Sequence, residues 1–287
     1  MKIGIDSYCF HRFFGEVYPG QKTPDKLLTT KEFLQKSYDL GLNGVSLESC
    51  FLPSLEEDYL KELKSQIEEF SLEVIYAWGH PFGLERGQSE AAFLDLCASI
   101  PRAKLIGADT MRVCGASSMY LADDRSPHVK ALIHQFQEIM TIADSYQVKI
   151  AMENHHDFTA DEMLQIIEGV GSPNFGVTFD SGNFLRLLDD PLSAIQKLAP
   201  YTFATHLKDV ALNGQAKPND WFFFSAVPLG QGLIDHKAII QTLKEANFSG
   251  LLTLEIDYPH PDWANREEDM VEISVRNLRK MADEIYS

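Results

Sequence analysis

The sequence predicts a single (β/α)8 TIM barrel, one domain covering residues 1–287. Three observations carry that prediction. Short apolar runs of strand type alternate with amphipathic helical segments along the whole chain, and the alternation completes eight repeats. Each strand-like run ends in a polar or charged group, where a parallel barrel gathers its working residues. Glycines follow helical segments at Gly41, Gly107 and Gly171, where a left-handed residue stops a helix.

The first repeat pairs KIGID (residues 2–6) with a helix near TKEFLQKSYDLG, in which Phe33, Leu34, Tyr38 and Leu40 fall near one face. GVSLES (44–49) precedes a helix over EEDYLKELKSQIEEF, and LEVIYAW (72–78) one over SEAAFLDLCASIPRAKLIG. ADTMRVCG (108–115) leads into SPHVKALIHQFQEIMTIADSY. The fifth repeat is VKIAMENHHDFT: Val148, Ile150 and Met152 alternate with Lys149 and Ala151, and Thr159 reads as the N-cap of the helix that follows. NFGVTFD (174–180) precedes a short helix near 191–199, and TFATHLKD (202–209) runs into a long loop before IDHKAIIQTLKEA. GLLTLEID (250–257) and a last long helix close the chain. The strand ends so read are Asp6, Glu48, Trp78 with His80, Arg112, Glu153 with His155 and His156, Asp180, His206 with Lys208, and Glu255 with Asp257.

Composition excludes several function classes. With 25 basic against 42 acidic side chains the formal net charge is −17, a surface that repels phosphate backbones, so nucleic acid is not an expected partner. No run approaches the ~20 apolar residues of a membrane helix. The N-terminus opens directly on a strand, without the basic and apolar regions of a signal peptide, so a cytoplasmic location away from membranes is expected. The four cysteines (Cys9, Cys50, Cys97, Cys114) show neither a CxxC pair nor zinc-finger spacing.

Glu153, Asp180, His206 and Glu255 end strands five to eight, which are neighbours around one barrel mouth. Three carboxylates and an imidazole without thiolate form a hard, oxygen-rich ligand set, suited to one Mn²⁺ ion, or Mg²⁺ or Co²⁺, more than to structural zinc. A divalent cation also removes the repulsion among crowded carboxylates.

The segments MENHHDFT, FDSGNFLRLLDDP, THLKDV and PLGQGLID resemble the sugar phosphate isomerase/epimerase group of the xylose isomerase-like barrels, over essentially the whole chain. The resemblance implies that Glu153, Asp180, His206 and Glu255 bind one divalent metal. It implies a small-molecule carbohydrate substrate and, with the aromatic run Trp221-Phe222-Phe223-Phe224, a homo-oligomer, dimer or tetramer. That run is otherwise a lid over the mouth. Two positions depart from the ketose 3-epimerases: Thr159 stands where they carry a second Glu, and Leu212 where they carry an Arg. The His206-Leu207-Lys208-Asp209 pattern is closer to inosose dehydratases and uncharacterised sugar isomerases. The related base-excision endonucleases have Asp-Thr-Cys-His where this chain has Asp180-Ser181-Gly182-Asn183, which argues against a nuclease.

The resemblance implies isomerisation or epimerisation of a keto-sugar through a metal-stabilised enediolate, with Glu153, Glu255 or His156 removing the proton. A keto-sugar lyase using the same intermediate is the alternative, and a non-catalytic sugar-binding barrel a third. His156 is expected to face the substrate as acid/base, or to pack behind it, and strand alternation turns His155 the other way. Lys208 is placed to stabilise an oxyanion or to pair with a ligand carboxylate. Glu48, His80, Arg112 and His155 are candidate substrate contacts or supports of the ligands. Gly230-Gln231-Gly232 is a turn and only a weak phosphate signal.

Overall fold

A computed structural model describes residues 1–116 and 124–287. The barrel strands are β1 (Lys2–Asp6), β2 (Gly44–Glu48), β3 (Glu73–Ala77), β4 (Thr110–Cys114), β5 (Lys149–Glu153), β6 (Phe175–Asp180), β7 (Thr202–His206) and β10 (Leu251–Leu254). They pair in parallel in the order β10-β1-β2-β3-β4-β5-β6-β7, and a parallel bridge between Leu207 and Leu254 joins the two ends. The crossovers carry α1 (Thr30–Asp39), α2 (Glu57–Glu69), α3 (Glu90–Leu105), α4 (Ser126–Tyr146), α5 (Ala160–Val170), α7 (Pro191–Leu198) and α8 (His236–Glu245), and α9 (Glu267–Tyr286) ends the chain. The predicted barrel is therefore the observed fold.

Local chemistry sets the boundaries. Thr159 caps α5 in a capping box with Glu162, and Thr29 does the same for α1 with Glu32. Gly171 ends α5 at φ +67°, a conformation that L side chains rarely adopt. The helices bury their apolar stripes against the outside of the barrel, through Leu60, Leu96, Phe136, Ile166, Ile239 and Leu278 among others. Inside the barrel Ile75, Ala151, Ala204 and Leu251 pack together as a separate small cluster. The 3-10 helix Ser7–Phe14 that follows β1 is tied to α9 by Arg12, whose Nε donates to Glu267 Oε1 at 2.6 Å in a buried ion pair.

Strict alternation breaks in two places. The helix α6 (Ser181–Arg186) starts on the last residue of β6, because Asp180 Oδ1 accepts from the amides of Gly182 and Asn183. The long loop after β7 contains an antiparallel hairpin, β8 (Asp209–Leu212) with β9 (Phe224–Val227). Both features stand on the mouth of the barrel.

Candidate metal centre

Glu153, Asp180 and His206 end β5, β6 and β7, and Glu255 follows β10 directly. Adjacent register brings them level: Asp180 pairs with His206, and Glu153 with Thr178 one pleat below Asp180. One ligand atom from each lies within 4.8 Å of the others, and all four residues are buried. His206 Nδ1 stands 3.5 Å from Glu153 Oε2, 3.6 Å from Glu255 Oε1 and 4.0 Å from Asp180 Oδ2.

The free atoms of the cluster fit a cation. Asp180 spends Oδ1 on capping α6, while its Oδ2, Glu255 Oε2 and His206 Nδ1 are buried without a directional hydrogen bond. Buried polar atoms are ordinarily satisfied; here the two carboxylate oxygens have only the Lys208 ammonium beside them and His206 Nδ1 has no hydrogen bond, a cluster that a cation would complete. The outer atoms are occupied as ligand supports are. His206 Nε2 lies 3.3 Å from Asp6 Oδ2, and Asn183 Nδ2 donates to Glu153 Oε1 at 3.2 Å. Asn154 ties β5 to β6 through both its amide atoms, bonding the Asp180 carbonyl and N–H.

Without a metal, protons and Lys208 balance the charge. Burial pushes the Asp180 carboxyl up to about 8, against Lys208 and with help from Glu255 and Glu153. Burial opposes the charged form of His206, yet Glu255 and Glu153 lift it well above the ordinary imidazole value. Lys208 Nζ reaches Glu255 Oε2 at 2.6 Å and both Asp180 Oδ2 and Asp257 Oδ2 at 2.9 Å. Its stem lies against Gly182, where an added Cβ would meet Lys208 Cδ at 2.9 Å.

A cation must displace those protons, so its affinity is pH-dependent. The folded value of Asp180 stands above its unfolded one. Its proton therefore stabilises the metal-free fold below the ordinary carboxylate range, and that contribution fades as pH rises through about 8. Mn²⁺ affinity is expected to rise between pH 6 and 8 with protons released on binding. Calorimetry in buffers of different ionisation heat measures both, and a flat affinity contradicts the expectation.

Around the ligands stands a second set of groups. Arg112 bridges Glu48, at 3.2 Å, and Glu153. Burial pushes Glu48 up to about 8, with Arg112 pulling against it. His80 stacks on Trp78 with ring centroids 5.0 Å apart. His155 and His156 depart from the expected alternation: both line the cavity, stacked at 4.8 Å. The reason is Asp157, which accepts from the amides of His155 and Phe158 through Oδ1 and of Ala116 through Oδ2, and turns the chain. His156 sits at φ +52°, so the extended backbone that alternation presupposes has ended. Burial lowers His155 to about 4, leaving it neutral.

The cavity measures about 670 Å³. Glu48, Arg112, His155, Lys208, Glu255 and Asp257 form its polar wall, and Tyr8, Phe14, Tyr18, Phe51, Phe82 and Trp221 its aromatic rim. Trp221 packs edge-on to Tyr18 and Tyr258, and Phe222 stacks on Tyr258 at 4.4 Å. The run 221–224 is thus half-buried against its own chain at the mouth. The amides of Gly230 and Gly232 both donate to Asp209 Oδ2 at 2.8 Å, which accounts for that turn without a phosphate. Thr159 is occupied by helix capping, and Leu212 is 55% exposed at the end of β8.

Sequence reasoning gave no role to Asp6, Asn183, Arg186 or Asp257. Arg186 donates to Asp257 Oδ2 at 2.5 Å and Oδ1 at 3.1 Å, and Arg186 with Lys208 holds that carboxyl well below the usual range despite its burial. Asp6 and Asp257 were visible as strand ends. Arg186 becomes visible only through α6.

Fold and site together define a class, a (β/α)8 barrel with a candidate divalent-metal centre at its C-terminal mouth. The chain belongs to the xylose isomerase-like TIM barrel family, whose sequence model matches residues 34–281. A 3-oxo-isoapionate decarboxylase of Pectobacterium atrosepticum is 28% identical over 103 residues, 35% of this chain and 36% of that protein. The chain thus matches about a third of that curated relative's length. An IolI protein solved with a bound zinc atom superposes with a TM-score of 0.76 at 16% identity, covering 100% of both chains. A D-psicose 3-epimerase solved with D-fructose superposes with a TM-score of 0.73 at 14% identity, covering 98% of each chain. Among the described residues no helix is long and apolar enough to cross a membrane.

Proposed function

We propose that the chain is a divalent-metal-dependent isomerase or epimerase acting on an uncharged keto-sugar. The observation that carries this is the buried quartet Glu153, Asp180, His206 and Glu255, of which Glu255 also lines a sugar-sized cavity. The similarity to an epimerase solved with a ketose supports the reading. Mn²⁺, Mg²⁺ or Co²⁺ held by these four side chains would supply Lewis-acid polarisation of a carbonyl.

The remaining work falls to the protein. Both Glu153 oxygens are engaged, Oε1 by Asn183 and Oε2 by Arg112. Glu255 lines the cavity, which Glu153 does not, so it is the better placed carboxylate to take a proton from the carbon beside the carbonyl. Lys208, at 2.6 Å, accompanies that carboxylate as its charge changes. Glu48 and Arg112 on one wall and His155 and His156 on the other would orient hydroxyls. The aromatic rim under Trp221 keeps water from the reacting carbon.

The charge balance favours an uncharged substrate. Among the described residues lining the cavity, the Lys and Arg side chains are Arg112 and Lys208, and both are already ion-paired. Residues 117–123 contain no Lys, Arg or His. A phosphate dianion would be desolvated here without an unpaired Lys or Arg among these side chains to receive it, which is unfavourable.

A lyase is the second reading, favoured by the decarboxylase relative. A panel of keto-sugars, keto-glycosides and their phosphate esters in D₂O with Mn²⁺ separates the readings. Deuterium at the carbon beside the carbonyl, with neutral sugars preferred by at least ~10-fold in kcat/KM, is expected, equivalent to ~1.4 kcal/mol. Elimination or CO₂ release without isomerised product would transfer the assignment to the lyase.

A further inference from the structure

We infer that Arg186 holds His156 as the neutral Nδ1–H tautomer, so that His156 serves the substrate as a hydrogen-bond donor and not as the base. Arg186 Nη1 lies 3.1 Å from His156 Nε2. A guanidinium has N–H donors and no acceptor, so the imidazole nitrogen facing it must offer its lone pair. The two N–H groups of Nη1 also serve Asn183 Oδ1 at 2.9 Å and Asp257 Oδ2 at 2.5 Å, both acceptors, so the N–H toward His156 is shared.

The guanidinium cannot easily turn away. Its Nη2 donates to the Phe224 carbonyl at 3.0 Å and to Asp257 Oδ1, its Nε also reaches the Phe224 carbonyl, and its plane lies 5.3 Å from the Trp221 ring centroid. The proton of a neutral His156 is thereby left on Nδ1. That atom is buried without a hydrogen-bond partner, on a side chain that lines the cavity. The ring is clamped between His155 at 4.8 Å and Trp221 at 6.1 Å, nearly parallel to both.

The groups facing the ring are His155 on its own loop, Arg186 on α6, Lys208 after β7 and Asp257 after β10. Burial, with His155, Arg186 and Lys208, lowers its affinity for a second proton, and Asp257 opposes them. An unpartnered N–H held this way suits a carbonyl or hydroxyl oxygen of a polyol. The identity of that oxygen rests on the keto-sugar reading, whereas the tautomer does not.

The test uses full-length protein labelled with ¹⁵N-histidine, metal-free and Mg²⁺-loaded, without substrate. Long-range ¹H–¹⁵N correlation is expected to show a pyrrole-type Nδ1 and a pyridine-type Nε2 for His156 from pH 6 to 8. An Nε2–H tautomer, or an imidazolium at pH 7, overturns the inference. Arg186→Met is expected to bring in the Nε2–H form, and an unchanged pure Nδ1–H ring would remove Arg186 as its cause. Should that variant fail to fold, the wild-type spectrum alone decides. In turnover, an Asn amide overlays Nδ1 and tolerates the left-handed backbone, whereas a Gln amide overlays Nε2. His156→Asn should keep kcat within ~10-fold while His156→Gln loses ~10²–10³-fold, the usual worth of one placed donor. Equal losses would refute the donor role. A pure Nδ1–H ring in a protein that turns over no sugar would sink the keto-sugar reading and leave this one standing.

Discussion

Exhaustive chelation is expected to abolish turnover, and Mn²⁺, Co²⁺ or Mg²⁺ to restore it. The loss is large because the cation contributes several kcal/mol of charge stabilisation in a buried site, ~10³-fold or more in rate. No side chain can replace it. In the metal-free protein Lys208 and a protonated His206 answer the carboxylates, but both are held by the groups they neutralise. Glu255→Gln should remove most of the calorimetric Mn²⁺ signal and leave the fold unchanged by circular dichroism. Full activity in chelated protein, with metal content checked by elemental analysis, refutes this role for the quartet.

Arg112→Met lowers stability by ~3–5 kcal/mol, the usual result of leaving a buried charge without its partner. Two carboxylates depend on this guanidinium, Glu48 and Glu153, and all three side chains are nearly inaccessible. Glu48 then has burial pushing its carboxyl up and no cation pulling it down, so it takes a proton and the polar wall loses a charge. Adding Glu48→Gln to Arg112→Met should recover part of the loss, because a neutral amide avoids the cost of protonating a buried carboxylate at neutral pH. Urea unfolding of the two variants gives both numbers. A fall below ~1 kcal/mol for Arg112→Met shows that water or a rearranged neighbour compensates the carboxylates.

Legibility followed the physics of each element. The barrel was readable because buried parallel strands are apolar runs and their crossovers are amphipathic helices, two periods that short windows distinguish. The four ligand-type residues were readable because a barrel gathers the C-terminal ends of its strands, so Glu153, Asp180, His206 and Glu255 converge without any tertiary detail. Alternation failed at His155 and His156 because it presupposes extended backbone, whereas the strand ends at Glu153 and the Asp157 amide bonds with φ +52° at His156 turn the chain. The Arg186–Asp257 pair was hidden by distance in sequence and by α6, too short to announce itself through periodicity. The β8–β9 hairpin was hidden for the same reason, and its strands lie in a segment rich in turn residues.

The Asp209 carboxylate has a consequence for how such a protein diversifies. It collects the amides of Val210, Gly230, Gly232 and Ile234, so both ends of the hairpin are riveted to one buried point at the root of the barrel. A segment whose ends are held together adds little closure entropy when its tip is lengthened, shortened or replaced. The tip that carries Trp221 can therefore be exchanged as a cassette, re-cutting the entrance to the cavity while Glu153, Asp180, His206 and Glu255 keep their positions.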